Sequence, residues 1–232
     1  MTIEGKNILV LGGGGMVGQA VCRQLIPHRP ASLLLASRRK AKAHRAVEQL
    51  LAEFPDTETR IVALAGDIFI RADWQEDGAT ARQAVMADRQ KRRRLIADIL
   101  EPLDEEIINA SLLARFILGR APGEEGIPAQ VVIDCMNTAT AVSYQDLYRS
   151  AQQLAQLAQE NDAQSDWPAE VEGLLASLYV PQLVRHIQLL YEAMRRAGTE
   201  AYIKVGTSGT GGMGFNIPFT HGEEKPSRLL LS

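Results

Sequence analysis

Four consecutive glycines, Gly12 to Gly15, follow the apolar run Ile8-Leu9-Val10-Leu11, and a fifth, Gly18, comes three residues later. Read by threes, Gly12, Gly15 and Gly18 give G-x-x-G-x-x-G. Read from Gly13, the same stretch contains G-x-G-x-x-G, the spacing of a dinucleotide-binding fingerprint. The chemistry it can serve is anion binding by backbone. A residue without a Cβ lets the chain turn sharply off a strand, and another lets a pyrophosphate come close. The open N–H groups at the start of the next helix, here those of Met16, Val17 and Gly18, then face the phosphates together with the positive helix end. Gly18 is expected to let that helix lie tightly on the sheet.

A second group of candidates lies where the next strand should end, at Ser37-Arg38-Arg39. A cofactor without a 2′-phosphate is held at this point by an acid on the ribose hydroxyls, and no acid occurs here before Glu48. Two guanidiniums suit a 2′-phosphate, so NADP is expected in preference to NAD. Asp67 and Ile68 follow the third strand; Asp67 is placed either to meet the adenine amino group or to cap the next helix. Asn137 and Thr138 follow the fourth strand, where they line the cofactor crevice or simply make a turn. A glycine- and hydroxyl-rich loop, Gly206 to Gly214, follows the fifth strand and includes Thr207, Ser208 and Thr210. Its hydroxyls could donate to a substrate oxygen or a phosphate, or the loop could serve no ligand.

The elements that position these residues are strands and helices in alternation. Strands are expected at Ile8–Leu11, Ser32–Ala36, Arg60–Ala65, Val131–Met136 and Ala201–Val205, with helices at Met16–Leu25 and Lys40–Phe54. This is an α/β chain with a Rossmann-type doubly wound parallel sheet of order 3-2-1-4-5. The rhythm breaks between the third and fourth strands. Gly78–Leu100 and Asp104–Leu118 each read as one helix, and 119–128 reads as a loop. Tyr144–Asn161 reads as another helix, and Val171–Ala197 as a long one kinked or restarted at Pro181 and capped by Gly198. The expectation is a single domain over 1–232 with helical insertions at 71–128 and 143–172.

With 46% apolar and 23% charged residues and a formal net charge of -3, the composition is that of an ordinary globular protein. No general attraction to nucleic acid or membrane follows from it. The run Arg89, Lys91, Arg92, Arg93, Arg94 has acids nearby at Asp88, Asp98 and Glu101 and no flanking aromatics, so a solvated face or partner contact is expected. Two cysteines and four scattered histidines suggest no metal site. The absence of an apolar stretch of about 18 residues or a leader predicts a cytoplasmic location.

Taken together, Gly12, Gly15 and Gly18, the Arg38-Arg39 pair, Gly66-Asp67, the strand exit at Cys135 to Ala139, the loop Thr207 to Gly214 and the segment Pro218 to Pro226 resemble the extended short-chain dehydrogenase/reductases, which include nucleotide-sugar epimerases and dehydratases. The resemblance covers about half of the chain. It implies NADP-dependent hydride transfer at a carbonyl or alcohol of a small-molecule or nucleotide-sugar substrate, with Ser208 as the hydroxyl that steadies the substrate oxygen and Thr207 and Thr210 as alternates. It also implies a tyrosine acid/base with a lysine four residues on. Leu229 stands where that tyrosine should be, so the pair is missing and the chain reads as truncated at its C-terminus. The competing expectations are a catalytically inactive dinucleotide-binding regulatory module and a helical scaffold, partnered by a second copy or a following C-terminal segment.

Overall fold

The structure is a computed structural model that describes residues 2–75, 81–121, 123–136, 151–152, 154–155 and 167–205. Its central sheet is built from β1 (Asn7–Leu11), β2 (Ser32–Ser37), β3 (Arg60–Ala65), β6 (Val131–Asp134) and β7 (Ala201–Lys204). These pair in the order β3-β2-β1-β6-β7, every pair parallel. Counted along the sheet alone, this is the expected 3-2-1-4-5 order. The small antiparallel hairpin β4 (Arg120–Ala121) and β5 (Glu124–Glu125) falls between β3 and β6 in sequence, within the stretch expected to be a loop.

Ile8 to Leu11 and Leu33 to Ala36 are almost fully buried because both faces of the sheet are covered. On one face, α1 (Met16–Leu25) and α2 (Lys40–Glu53) contribute Cys22, Ala46 and Leu50 to a core with Ile8, Val10, Leu33, Leu35, Val131 and Ile133. Leu9, Leu11, Leu34, Val62, Leu64 and Val132 point the other way. They meet α6 (Leu112–Ile117), through Leu112, Leu113, Phe116 and Ile117, and α8 (Tyr179–Ala197), through Leu190 and Ala193. The expected insertion at 71–128 therefore supplies a helix to the main core.

Three of the long helices expected from the sequence are broken, each at an identifiable residue. The first becomes α3 (Ala81–Ala87) and α4 (Arg89–Leu100), because the Asp88 carboxylate accepts from the backbone N–H groups of Gln90 (2.8 Å) and Lys91 (3.0 Å). The second becomes α5 (Glu105–Ala110) and α6, where the Ser111 hydroxyl accepts from Ala114 N–H at 3.3 Å. The third becomes α7 (Trp167–Ser177) and α8, with the extended residue Leu178 between them. Pro181 sits in the first turn of α8, where no intrahelical N–H bond is forfeited, so it marks a restart. Gly198 ends α8 in the left-handed region, φ 67°, as expected of a cap.

The basic run has partners within the chain. Glu172 of α7 receives Arg93 at 2.5 Å, Arg92 at 3.3 Å and Arg89 at 3.7 Å. Arg94 reaches Asp98 and Glu106. The arginines of α4 thus tie it to α7 and to its own neighbours rather than lining an open basic face. No helix among the described residues is long and apolar enough to cross a membrane.

Candidate functional site

The carboxyl ends of the strands form a laced crest. Gly13 N–H donates to Ala36 O at 3.0 Å, Gly66 N–H to Ser37 O at 3.1 Å, Cys135 N–H to Leu11 O at 2.9 Å, and Val205 N–H to Asp134 O at 2.8 Å. Each strand exit is thereby fixed to its neighbour before any ligand arrives. Gly12 makes the turn with φ +79°, and Gly15 N–H closes it on Gly12 O at 2.8 Å.

The glycines have distinct steric reasons. A Cβ on Gly18 would sit 2.4 Å from Gly12 O and 2.7 Å from Gly13 Cα, so the close approach at Gly18 is of α1 to the glycine turn, where contact with the sheet was expected. A Cβ on Gly14 would lie 2.9 Å from Ser37 Oγ and 3.2 Å from Lys42 Cγ. A Cβ on Gly15 would meet only Gly12 O, at 3.2 Å, so packing does not demand glycine there. Gly15 is also the N-cap of α1 and offers no side-chain acceptor, in contrast to Asp88, Asp104 and Ser111, which cap α4, α5 and α6. The first turn of α1 carries no acid, and Met16 (69% exposed) and Val17 stand open to solvent. An uncapped, acid-free helix start behind a glycine turn is chemically fit to receive phosphate oxygens.

Ser37, Arg38 and Arg39 follow at the end of β2 beside this turn. Both arginines are exposed, and neither forms an ion pair among the described residues, so their guanidiniums are available to an anion. Lys42, on the exposed first turn of α2, adds a third cation close to Gly14; the sequence hinted at it only through its place three residues after Arg39. Asp67 is buried, and its Oδ1 accepts from Phe69 N–H at 3.0 Å. This closes a local turn and does not cap the next helix as expected: the short helical turn Ala72–Trp74 has Arg71 at its N-cap and no side-chain cap hydrogen bond. Gln75 holds the Asp67 backbone from both sides, accepting from its N–H at 2.8 Å and donating to its C=O at 3.1 Å. Ile68 is buried in the core. The structure thus brings Gly12, Gly15, Met16, Val17, Gly18, Ser37, Arg38 and Arg39 to one edge, with Asp67 at the neighbouring strand exit. Asn137, Thr138, Thr207, Ser208 and Thr210 lie outside the described residues.

At the far end of the same edge is a group that sequence reasoning passes over. Asp134, the last residue of β6, is 1% exposed, and its carboxylate accepts from Lys204 Nζ at 2.7 Å and from Tyr202 O–H at 3.0 Å. Burial, and then the Asp134 charge, push the Tyr202 hydroxyl well above the ordinary tyrosine range, so it is a donor at neutral pH. The available signal was an acid inside the otherwise apolar run Val131 to Cys135. Cys22, pushed up to about 12 by burial, is an inert core thiol.

Residues 7–90 match the model of the KR domain. Among solved structures, the chain is similar to a short-chain dehydrogenase from Sphingobium yanoikuyae in complex with NADPH, at 14% identity and a TM-score of 0.40, covering 97% of this chain and 63% of that one. It is also similar to an A1-type ketoreductase, at 22% identity and 0.37, covering 99% and 42%. Pen from Bacillus thuringiensis matches at 12% identity and 0.37, covering 88% and 38%. The chain therefore spans less than two thirds of the length of each of these proteins.

Proposed function

We propose that this chain binds NADP(H) across its glycine turn and acts as a short-chain dehydrogenase/reductase, transferring hydride at a carbonyl or alcohol of a small-molecule or nucleotide-sugar substrate. The KR-domain match over 7–90 supports the class, since it covers the glycine turn and both arginines. The observation that carries the reading is the uncapped start of α1 beside two exposed arginines at the end of β2 that form no ion pair among the described residues. The whole of 1–232 is read as one NAD(P)-binding domain with insertions at 71–128 and 143–172, most of the second lying outside the described residues.

The bound cofactor would supply the hydride donor or acceptor. The amides of Met16 and Val17 and the dipole of α1 would hold the pyrophosphate. Ser37, Arg38 and Arg39 would hold the 2′-phosphate, with Lys42 adding charge. Asn137 and Thr138 are assigned to the crevice wall. Ser208, with Thr207 and Thr210 as alternates, is assigned to donate to the substrate oxygen and orient the reacting carbon.

Calorimetric titration of the wild-type chain and of the Arg38→Ala/Arg39→Ala variant with NADPH and NADH tests the cofactor assignment. The wild type is expected to favour NADPH by about tenfold or more, as charge-assisted pairing to a phosphate implies, and the variant to lose that preference. Equal affinities in the wild type would remove the role given to the two arginines.

A second reading, a dinucleotide-binding regulatory or scaffold module without catalysis, is favoured by Leu229, which has no exchangeable proton where the family's tyrosine stands. The two separate in an NADPH-oxidation assay over a panel of ketones and nucleotide sugars. Turnover abolished by Ser208→Ala supports the enzyme, and tight NADPH binding with no turnover supports the module.

A further inference from the structure

Asp134 is held by more than its partners on β7. Its Oδ1 accepts from Met136 N–H at 2.8 Å, while Oδ2 takes Lys204 and Tyr202. Lys204 Nζ also donates to the Met136 carbonyl, so the backbone of Met136 is gripped at both its N–H and its C=O. That turn is in turn the wall against which the glycine loop stands. A Cβ on Gly12 would lie 3.1 Å from Met136 Cγ and 3.3 Å from the Cys135 carbonyl, so the turn at the exit of β6 lies directly alongside the glycine turn.

A strand end that served packing alone would carry an apolar residue, as Val132 does two positions earlier on the same face. A buried carboxylate adds a desolvation cost that an apolar residue avoids, and what it gives in return is a fixed geometry. The sheet order indicates which part of a ligand feels that geometry. β1 lies between β2 and β6, so with one nucleoside over Ser37, Arg38 and Arg39, the other runs over the exits of β6 and β7.

We propose that the Asp134–Lys204 pair, steadied by Tyr202, positions the second nucleoside half of the bound dinucleotide by fixing the backbone of the Asp134–Met136 turn at the exit of β6. The inference rests on the dinucleotide reading of the glycine turn. Asp134 and Lys204 are positioning residues, acting through Met136 rather than by reacting.

The test uses Lys204→Met, which removes the ammonium and keeps most of the stem, with two probes titrated by calorimetry. One is NADPH; the other is adenosine 2′,5′-bisphosphate, which carries only the adenosine half and its phosphate. Lys204→Met is expected to weaken NADPH about tenfold, while the bisphosphate stays within about twofold. Lys204→Arg should restore most of the NADPH affinity. Because Lys204→Met leaves a buried carboxylate short of a partner, Lys204→Met/Asp134→Asn is measured beside it. It should recover thermal stability without recovering NADPH affinity. Equal weakening of both probes, or unchanged NADPH affinity in either folded variant, would overturn the assignment. Failure of both probes to bind the wild type would overturn the dinucleotide reading and this inference with it.

Discussion

Gly18 and Gly15 belong to one motif, yet the space around them predicts opposite outcomes. Gly18→Ala puts a methyl group 2.4 Å from a backbone oxygen that is itself part of the turn, so α1 must move away from Gly12. A loss of about 1–3 kcal/mol in stability is expected in urea unfolding, together with loss of NADPH binding. Gly15→Ala meets one atom at 3.2 Å, and its φ of -85° suits alanine, so stability should stay near wild type while NADPH affinity drops. A Gly15→Ala variant that binds NADPH normally would place the phosphates elsewhere. His186 of α8 offers a pH-dependent test. It is 3% exposed, stacks near Phe69 (5.0 Å between ring centroids), borders a cavity of about 40 Å³, and has no hydrogen-bond partner for Nε2 among the described residues. Burial lowers its pKa from 6.5 to about 4; Asp134 opposes the shift and Lys204 adds to it. Between those values the unfolded chain takes up a proton that the folded one refuses. The contribution of His186 to stability is therefore complete above pH 6.5 and falls by up to about 3 kcal/mol as pH drops through 4. Urea midpoints at pH 7 and pH 5 should differ more in wild type than in His186→Gln; equal losses would refute the shift.

At the level of elements, α4 is held by charge on several sides. Arg71 forms a two-point pair with Asp98 of α4, at 2.6 and 2.7 Å, and also reaches Glu106 of α5 at 3.1 Å. Asp98 and Glu106 hold the Arg71 guanidinium well above its ordinary pKa, the Asp98 hydrogen bonds contributing most. Arg185 of α8 donates to the carbonyls of Ile99 (3.4 Å) and Glu101, at the C-terminal end of α4, where a positive charge complements the helix dipole. Asp98→Asn should cost about 2 kcal/mol, less than a fully buried pair would because both partners keep some access to water. Hydrogen exchange should quicken in α4 and α5 and leave β1 and β2 unchanged; uniform quickening would show that α4 does not open as a unit. The helix breaks in this region were partly legible. Asp88 and Ser111 are N-cap residue types, but an Asp or Ser inside a helical pattern is equally compatible with a solvated side chain. The hydrogen bonds to Gln90, Lys91 and Ala114 decide the matter.

Over the whole molecule, ligand binding and folding are linked, because the crest that would receive the cofactor joins five strand exits by backbone hydrogen bonds. NADPH at about a hundredfold excess over its Kd should stabilise the protein by about 2.7 kcal/mol, seen as a raised unfolding midpoint. NADH at the same concentration should do less. The gap should narrow from low to high salt, since Arg38 and Arg39 are exposed and screened. A gap that salt leaves unchanged would argue that the preference does not come from these charges.

Local spacing was enough to define the strands, the turn at Gly12 and the start of α1 at Met16, because each depends on contacts short in sequence or on a local run of residue types. The sheet order followed from the strand–helix alternation of a doubly wound sheet, although β1 pairs with the distant β6. The place of Arg38 and Arg39 beside the glycine turn followed for the same reason, β2 being the next strand along. The partners of the α4 arginines, the burial of α6 in the main core and the Asp134–Tyr202–Lys204 group required the folded chain. Asp134 and Lys204 are separated by 70 positions in sequence and are brought together only by the register of β6 on β7. The acid within the apolar run Val131 to Cys135 shows locally, but its partner does not, because the charge that makes a buried acid tolerable comes from another strand.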